Sequence, residues 1–131
     1  MKVYKIRTLL GLPVVSAVVS GPRGSRRVQL VFDSGALVTQ VHIQTLRTLG
    51  FVFDGSTPTV SLKGVTGPAE DGYLIKASRL FVLDCKIVDW QIGAFDFREW
   101  VRQGIDGLLG WDIIQRFHLE MDGRERILKV Y

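Results

Sequence analysis

A chain of 131 residues, 47% hydrophobic and 23% charged, is long enough to bury one core without a metal or disulfide staple and too apolar to stay disordered. Its single cysteine, Cys85, excludes an intrachain disulfide framework and a zinc site built on cysteine pairs. Seventeen Lys and Arg against thirteen Asp and Glu leave a net charge of +4, a mild excess that does not argue for nucleic acid.

Lys2, Lys5 and Arg7 precede the apolar run 9–19, the outward layout of a secretory leader. That run is shorter than the roughly 20 residues that span a bilayer. Pro13 and Ser16 interrupt it, and its residues alternate as a strand does. A strand, a cytoplasmic location and no membrane partner are therefore expected. Residues 2–8 form a first predicted strand. Residues 13–20 and 26–32 form a hairpin across Gly21-Pro22-Arg23-Gly24-Ser25, with Arg23, Arg26 and Arg27 at a solvated tip.

Ile43, Leu46 and Leu49 fall at helical spacing before Gly50, which predicts a short helix over 42–49. A strand is predicted over 57–63, broken by Gly64 to Pro68, and a long strand over 73–85. A helical turn over 96–102 and a short helix over 112–117 follow. Residues 117–131 read as strand, Asp122-Gly123 turn and strand. The expected fold is mainly β with one or two short helices, a single domain over 1–131. The strand-like ends, 2–6 and 127–131, are edges that must be covered, either by each other or by the termini of a second copy.

One segment concentrates chemistry. Val28-Gln29-Leu30-Val31-Phe32 runs as an apolar strand straight into Asp33-Ser34-Gly35-Ala36. A carboxylate is costly at the end of a buried strand and needs a reason to be there. Turn chemistry alone is one such reason. Far downstream, Leu108-Leu109-Gly110 leads into the predicted helix at 112.

These two motifs, in this order and at this separation, resemble those of the retropepsin-like aspartic peptidases, the single-domain relatives of pepsin, in a cellular or bacterial branch. The likeness covers nearly the whole chain. It implies a closed, acid-protease-like β-barrel with one lobe per chain. Carried over by position, Asp33 is the catalytic carboxylate, Ser34 the hydroxyl that reaches across a dimer interface, and Gly35 the point of close backbone approach. Ala36 and the flap residues Gly64, Val65, Thr66 and Gly67 are the implied substrate contacts. Leu108, Leu109 and Gly110 form the loop that crosses behind the site. Viral members place an Asp just after the Ala and an Arg just after the second glycine; here those positions hold Leu37 and Trp111, so an apolar contact can stand where an ion pair would.

The implied chemistry uses two carboxylates that share a proton, and this chain has one Asp-Ser-Gly. Asp54-Gly55, Asp71-Gly72, Asp106-Gly107 and Asp122-Gly123 lack the intervening hydroxyl and read as turns. The expected function is an aspartic endopeptidase acting as a homodimer on peptide or protein substrates, with one Asp33 from each copy. The alternative is a catalytically silent dimerisation or peptide-binding module on the same fold. No cofactor and no metal are expected, because no acidic cluster lies at ligand spacing near His42 or His118. There is no Gly-x-Ser-x-Gly elbow and no phosphate-cradling loop. The basic residues are scattered without aromatic interleaving, so no nucleic acid is expected.

Overall fold

The computed structural model describes residues 1–65 and 67–131. The chain enters through β1 (Lys2–Lys5) and β2 (Arg7–Leu9), then forms the long hairpin β3 (Leu12–Gly21) and β4 (Gly24–Phe32). A three-residue strand, β5 (Gln40–His42), runs into α1 (Ile43–Thr48). Next come β6 (Thr59–Leu62), β7 (Glu70–Val82), β8 (Cys85–Phe95) and α2 (Arg98–Val101). The chain closes with β9 (Gly107–Leu109), α3 (Trp111–Ile114), β10 (Leu119–Asp122) and β11 (Ile127–Val130). The fold is mainly β, as expected, and the described residues include three short helices where one or two were expected.

The larger sheet has the order β2-β3-β4-β9-β5-β8-β7-β6. An additional pairing of β3 with β7, Ala17↔Val82 to Ser20↔Arg79, closes β3, β4, β9, β5, β8 and β7 into a ring. Ring closure pairs these six strands with one another and leaves the short β2 and β6 as the edges of the sheet. Alternation along β3 and β4 turns Ala17, Val19, Val28 and Leu30 into the ring. There they meet Val41, Leu46, Leu80, Ile92, Leu109 and Ile113 in one cluster. Burying each such side chain contributes about 1.5–3 kcal/mol, which makes this cluster the main source of stability.

Three sequence expectations are corrected. The predicted strand over 2–8 is two strands. The chain turns from one sheet to the other at Ile6, whose amide donates to the Arg126 carbonyl at 2.8 Å. The predicted strand over 73–85 starts earlier, at Glu70, and ends at Val82 in a two-residue turn of Leu83 and Asp84, with φ of 51° and 59°. Cys85 then opens a separate strand, β8. The strands β5 and β9, each three residues long, were not predicted; neither is long enough to show an alternation.

The termini pair with each other. β1 runs antiparallel to β11, from Lys2↔Val130 to Lys5↔Ile127, and β10 adds on the other side of β11. Leu128 of this three-stranded sheet is buried in the main core. The apolar run 9–19 is folded into β2 and β3. Among the described residues, no helix is long and apolar enough to cross a membrane.

Candidate active site

Asp33 is positioned from two sides. Behind it, β4 pairs in parallel with β9, in the register Leu30↔Gly107, Val31↔Leu108, Phe32↔Leu109. The pairing carries one residue further, because the Asp33 amide donates to the Leu109 carbonyl at 2.9 Å. In front of it the chain turns at once. The Ala36 amide donates to the Asp33 carbonyl at 3.1 Å, and the Gly35 amide donates to Asp33 Oδ1 at 3.0 Å. The carboxylate is half-buried, Ser34 and Gly35 are exposed, and Ala36 is buried. The Asp-Ser-Gly motif is thus a turn, as its composition suggests, but a turn fixed at the end of a core strand.

The segment behind the loop fits only glycine at two points. A methyl group on Gly107 would overlap the Gln40 carbonyl oxygen. One on Gly110 would stand 2.7 Å from the Val38 carbonyl carbon and 2.9 Å from the Ala36 oxygen. The Trp111 amide donates to the Ala36 carbonyl at 2.7 Å, tying the two crossing segments together by backbone. The side chains of Leu37 and Trp111 both stand exposed at this tie.

A buried polar cluster locks the crossing, and sequence reading did not identify it. Thr39, fully buried, accepts from the Gly110 amide at 3.1 Å and donates its hydroxyl to Asp112 Oδ1 at 2.8 Å. Asp112 Oδ1 also accepts from the Ile113 amide, and Oδ2 accepts from Trp90 Nε1 at 3.2 Å. One carboxylate therefore joins the Asp33 loop, α3 and β8. Nearby, Asp106 Oδ2 accepts from the Gln29 amide at 2.7 Å, extending the hold on β4.

Asp33 lies in a cleft of about 470 Å³ with Gly35, Ala36, Gly64 and Leu108, five of the residues predicted for the site. Ser34, Val65 and Gly67 are not part of that lining. Thr66 lies outside the described residues. The antiparallel pair β6 and β7, in register from Thr59↔Tyr73 to Leu62↔Glu70, carries the segment with Gly64, Val65 and Gly67, all exposed, of which Gly64 borders the cleft. Gln40, Lys63, Glu70 and Phe95 also line the cleft and were not anticipated. They come from strand ends that meet only in the folded ring. Beyond Phe95, Arg98 pairs with Asp96 at 2.7 Å and holds that carboxyl below its usual range. The Phe97 amide donates to Nδ1 of the buried His42 at 2.9 Å.

Comparison with known proteins bears on this geometry. The family model described as aspartyl protease matches residues 15–113, the stretch from β3 through Ile113 that contains both crossing segments. A solved structure, that of a retropepsin-like aspartic protease from Rickettsia conorii, matches with a TM-score of 0.69 at 16% identity, over 100% of this chain and 99% of that one. That likeness is one of fold. No curated protein sequence shows significant similarity to the chain.

Proposed function

The chain belongs to the aspartyl protease family, and from that premise we propose that residues 1–131 form one domain of an aspartic endopeptidase that works as a homodimer. The observation that carries this reading is the hold on Asp33. A half-buried carboxylate stands at the end of a core strand, with its own amide spent on Leu109 and its turn fixed by Gly35, in a cleft under the β6–β7 segment. A turn with no further purpose needs none of these constraints.

In the proposed mechanism two copies bring their Asp33 carboxyls together. Two carboxylates at close range cannot both ionise comfortably, so they share one proton. The ionised member takes a proton from a water molecule as the water attacks the scissile carbonyl. The protonated member donates to the carbonyl oxygen and then protonates the departing amine. Ser34 is assigned to fixing the partner's loop and Gly35 to admitting the substrate backbone. Gly64, Val65, Thr66 and Gly67 are assigned to the flap. An extended peptide would lie between flap and loop by backbone pairing, its side chains meeting Leu37, Phe95 and Leu108. The cytoplasmic location expected from the sequence is kept as part of this reading.

The test is cleavage of a mixed peptide library between pH 3 and 8 by the native chain and by Asp33→Asn. Cleavage confined to the native chain, with a maximum on the acid side, is the expected result. Cleavage that survives the substitution would reduce Asp33 to a turn residue. A silent native chain that binds peptides would establish the binding-module alternative.

A further inference from the structure

The outer wall of the ring carries a row of side chains that only the register brings together. Arg27 of β4 stands opposite Val18 of β3, Val18 opposite Phe81 of β7, and Phe81 opposite Lys86 of β8. Side chains directly opposite share a face. This face looks away from the core, since the alternate residues Ala17, Val28, Leu80 and Ile87 are the buried ones. Phe81 is 40% exposed, and Val88, on the same face two residues beyond Lys86, is 60% exposed.

Beside the row the ring has a notch. Along one edge β3 pairs with β2 as far as Val14 and with β7 from Ala17 onward, so Val15 and Ser16 have no strand beside them there. The gap opens into a cleft of about 360 Å³ with mainly apolar walls, among them Ile6, Val18 and Leu83. A second cleft, of about 420 Å³, lies along the next row, Ser20, Arg79 and Val88. Five cations line the two clefts: Lys5, Arg7, Arg27, Arg79 and Lys86. Among the described residues none of the five is in an ion pair. The single carboxylate in either lining, Asp84, is already engaged by Lys2 Nζ and the Tyr4 hydroxyl, at 2.6 and 2.7 Å. An apolar strip flanked by uncompensated charge of one sign suits a partner of the opposite sign.

We infer that this face docks an acidic segment of a partner polypeptide, with one apolar side chain in the notch at Val15 and Ser16 and carboxylates on Arg7, Arg27 and Lys86. The two clefts share no lining residue with the Asp33 cleft, so the inference stands apart from the peptidase reading. Three observations choose the occupant. Neighbouring strands lie about 4.8 Å apart, which sets Arg27 and Lys86 roughly 14 Å apart at the backbone. An extended peptide crosses that distance in about four to five residues, and its several carboxylates match the spread of cations better than one anionic head group does. Phe81 is the only aromatic in its row and its neighbour Val18 is aliphatic, whereas nucleic-acid platforms stack successive bases on several rings. Finally, Ile6 and Val18 are half-buried in a concavity, which a side chain can enter and the surface of a bilayer cannot.

Fluorescence anisotropy of the full chain at neutral pH tests the face, using a short fluorescein-labelled peptide with a central leucine flanked by glutamates. Arg27→Glu and Lys86→Glu are measured beside the native protein, and Arg102→Glu, at an exposed cation just after α2, is the charge-matched control. The expected result is binding that weakens with added NaCl, falls by at least about fivefold in Arg27→Glu and in Lys86→Glu, and holds in Arg102→Glu. Replacing the peptide's glutamates by glutamine, or its leucine by serine, should weaken binding to the native chain by a similar factor. That arm needs no protein variant, so it decides the matter even if one fails to fold. Absence of binding, or binding indifferent to Arg27 and Lys86, would overturn the inference. An equal loss in Arg102→Glu would overturn it as well, reducing the effect to attraction by net charge. So would tighter binding of an oligothymidylate or of phosphatidylserine vesicles than of the peptide, which would assign the face to a nucleic acid or a membrane.

Discussion

Thr39 and Asp112, 73 positions apart in the chain, are joined by a 2.8 Å hydrogen bond that fastens the Asp33 loop to α3. The same hydroxyl accepts from the Gly110 amide, so a single oxygen spans both crossing segments. Thr39→Val keeps the shape and removes that oxygen, leaving a buried amide unpaired and Asp112 short of a donor. A loss of about 1–3 kcal/mol is expected. Urea denaturation checks it: the midpoint should fall with no change in slope. An unchanged midpoint would mean that the crossing is held by its backbone contacts alone.

Asp33→Asn retains Oδ1, the atom that accepts from the Gly35 amide, and so should preserve the loop. Its stability should lie within about 0.5 kcal/mol of the native value, while peptide cleavage falls by about a hundredfold to ten-thousandfold or more, the scale of a lost acid–base group. A comparable fall in both quantities would make the carboxylate a structural group.

Gly107→Ala places a methyl group on the Gln40 carbonyl, within a strand paired on both sides. No flexible side chain is available to give way. Destabilisation beyond about 4 kcal/mol is expected, seen as loss of soluble folded protein. Gly123→Ala, in the β10–β11 turn where an added methyl meets nothing within 4 Å, should change the melting temperature little. If Gly107→Ala melts like Gly123→Ala, then β9 does not run between β4 and β5.

Tyr4 and Asp84 give a pH-dependent readout of the N-terminal strand. Partial burial, then the hydrogen bond to Asp84 and its negative charge, push the Tyr4 phenol from 10.0 up to about 12. The folded state therefore favours the neutral phenol. Its contribution is whole below pH 10 and is lost as pH rises through about 12. Asp84→Asn should bring the phenolate transition, followed by ultraviolet difference absorbance, down from about 12 to a value still above 10, because burial is the larger cause. Asp84 itself is lowered from 3.8, chiefly by Lys2 and then by Tyr4, so its tie is present above that value and weakens only as pH falls below it. An unmoved phenolate transition in Asp84→Asn would show that the two side chains do not meet in solution.

Much of the framework was legible where local chemistry declares itself. The predicted hairpin over 13–20 and 26–32 is β3 and β4, extended to Leu12–Gly21 and Gly24–Phe32. The helix over 42–49 is α1, ending before Gly50, whose φ of 93° needs the residue that is there. The β7–β8 turn escaped notice because Leu83 and Asp84 carry none of the Gly, Pro or Asn punctuation that marks a hairpin, although both adopt positive φ. Asp33 and Gly110 could be read as motifs. Thr39 and Asp112 could not, since each is an ordinary polar residue until the fold sets them within reach of each other. Gln40, Lys63, Glu70 and Phe95 became cleft residues for the same reason.

The parallel pairing of β4 with β9 also sets an order of events. The Gln29 amide is satisfied by a carboxylate 77 positions later, and the Asp33 amide by the still later Leu109. Contacts at such separation require closure of a long loop and form slowly. On a ribosome the Asp33 loop would emerge long before the segment that shapes it. A nascent chain arrested ahead of residue 107 thus carries the Asp-Ser-Gly motif and its local turn but not the strand that backs it, so on the proposed mechanism an unfinished chain lacks the means of cutting its neighbours.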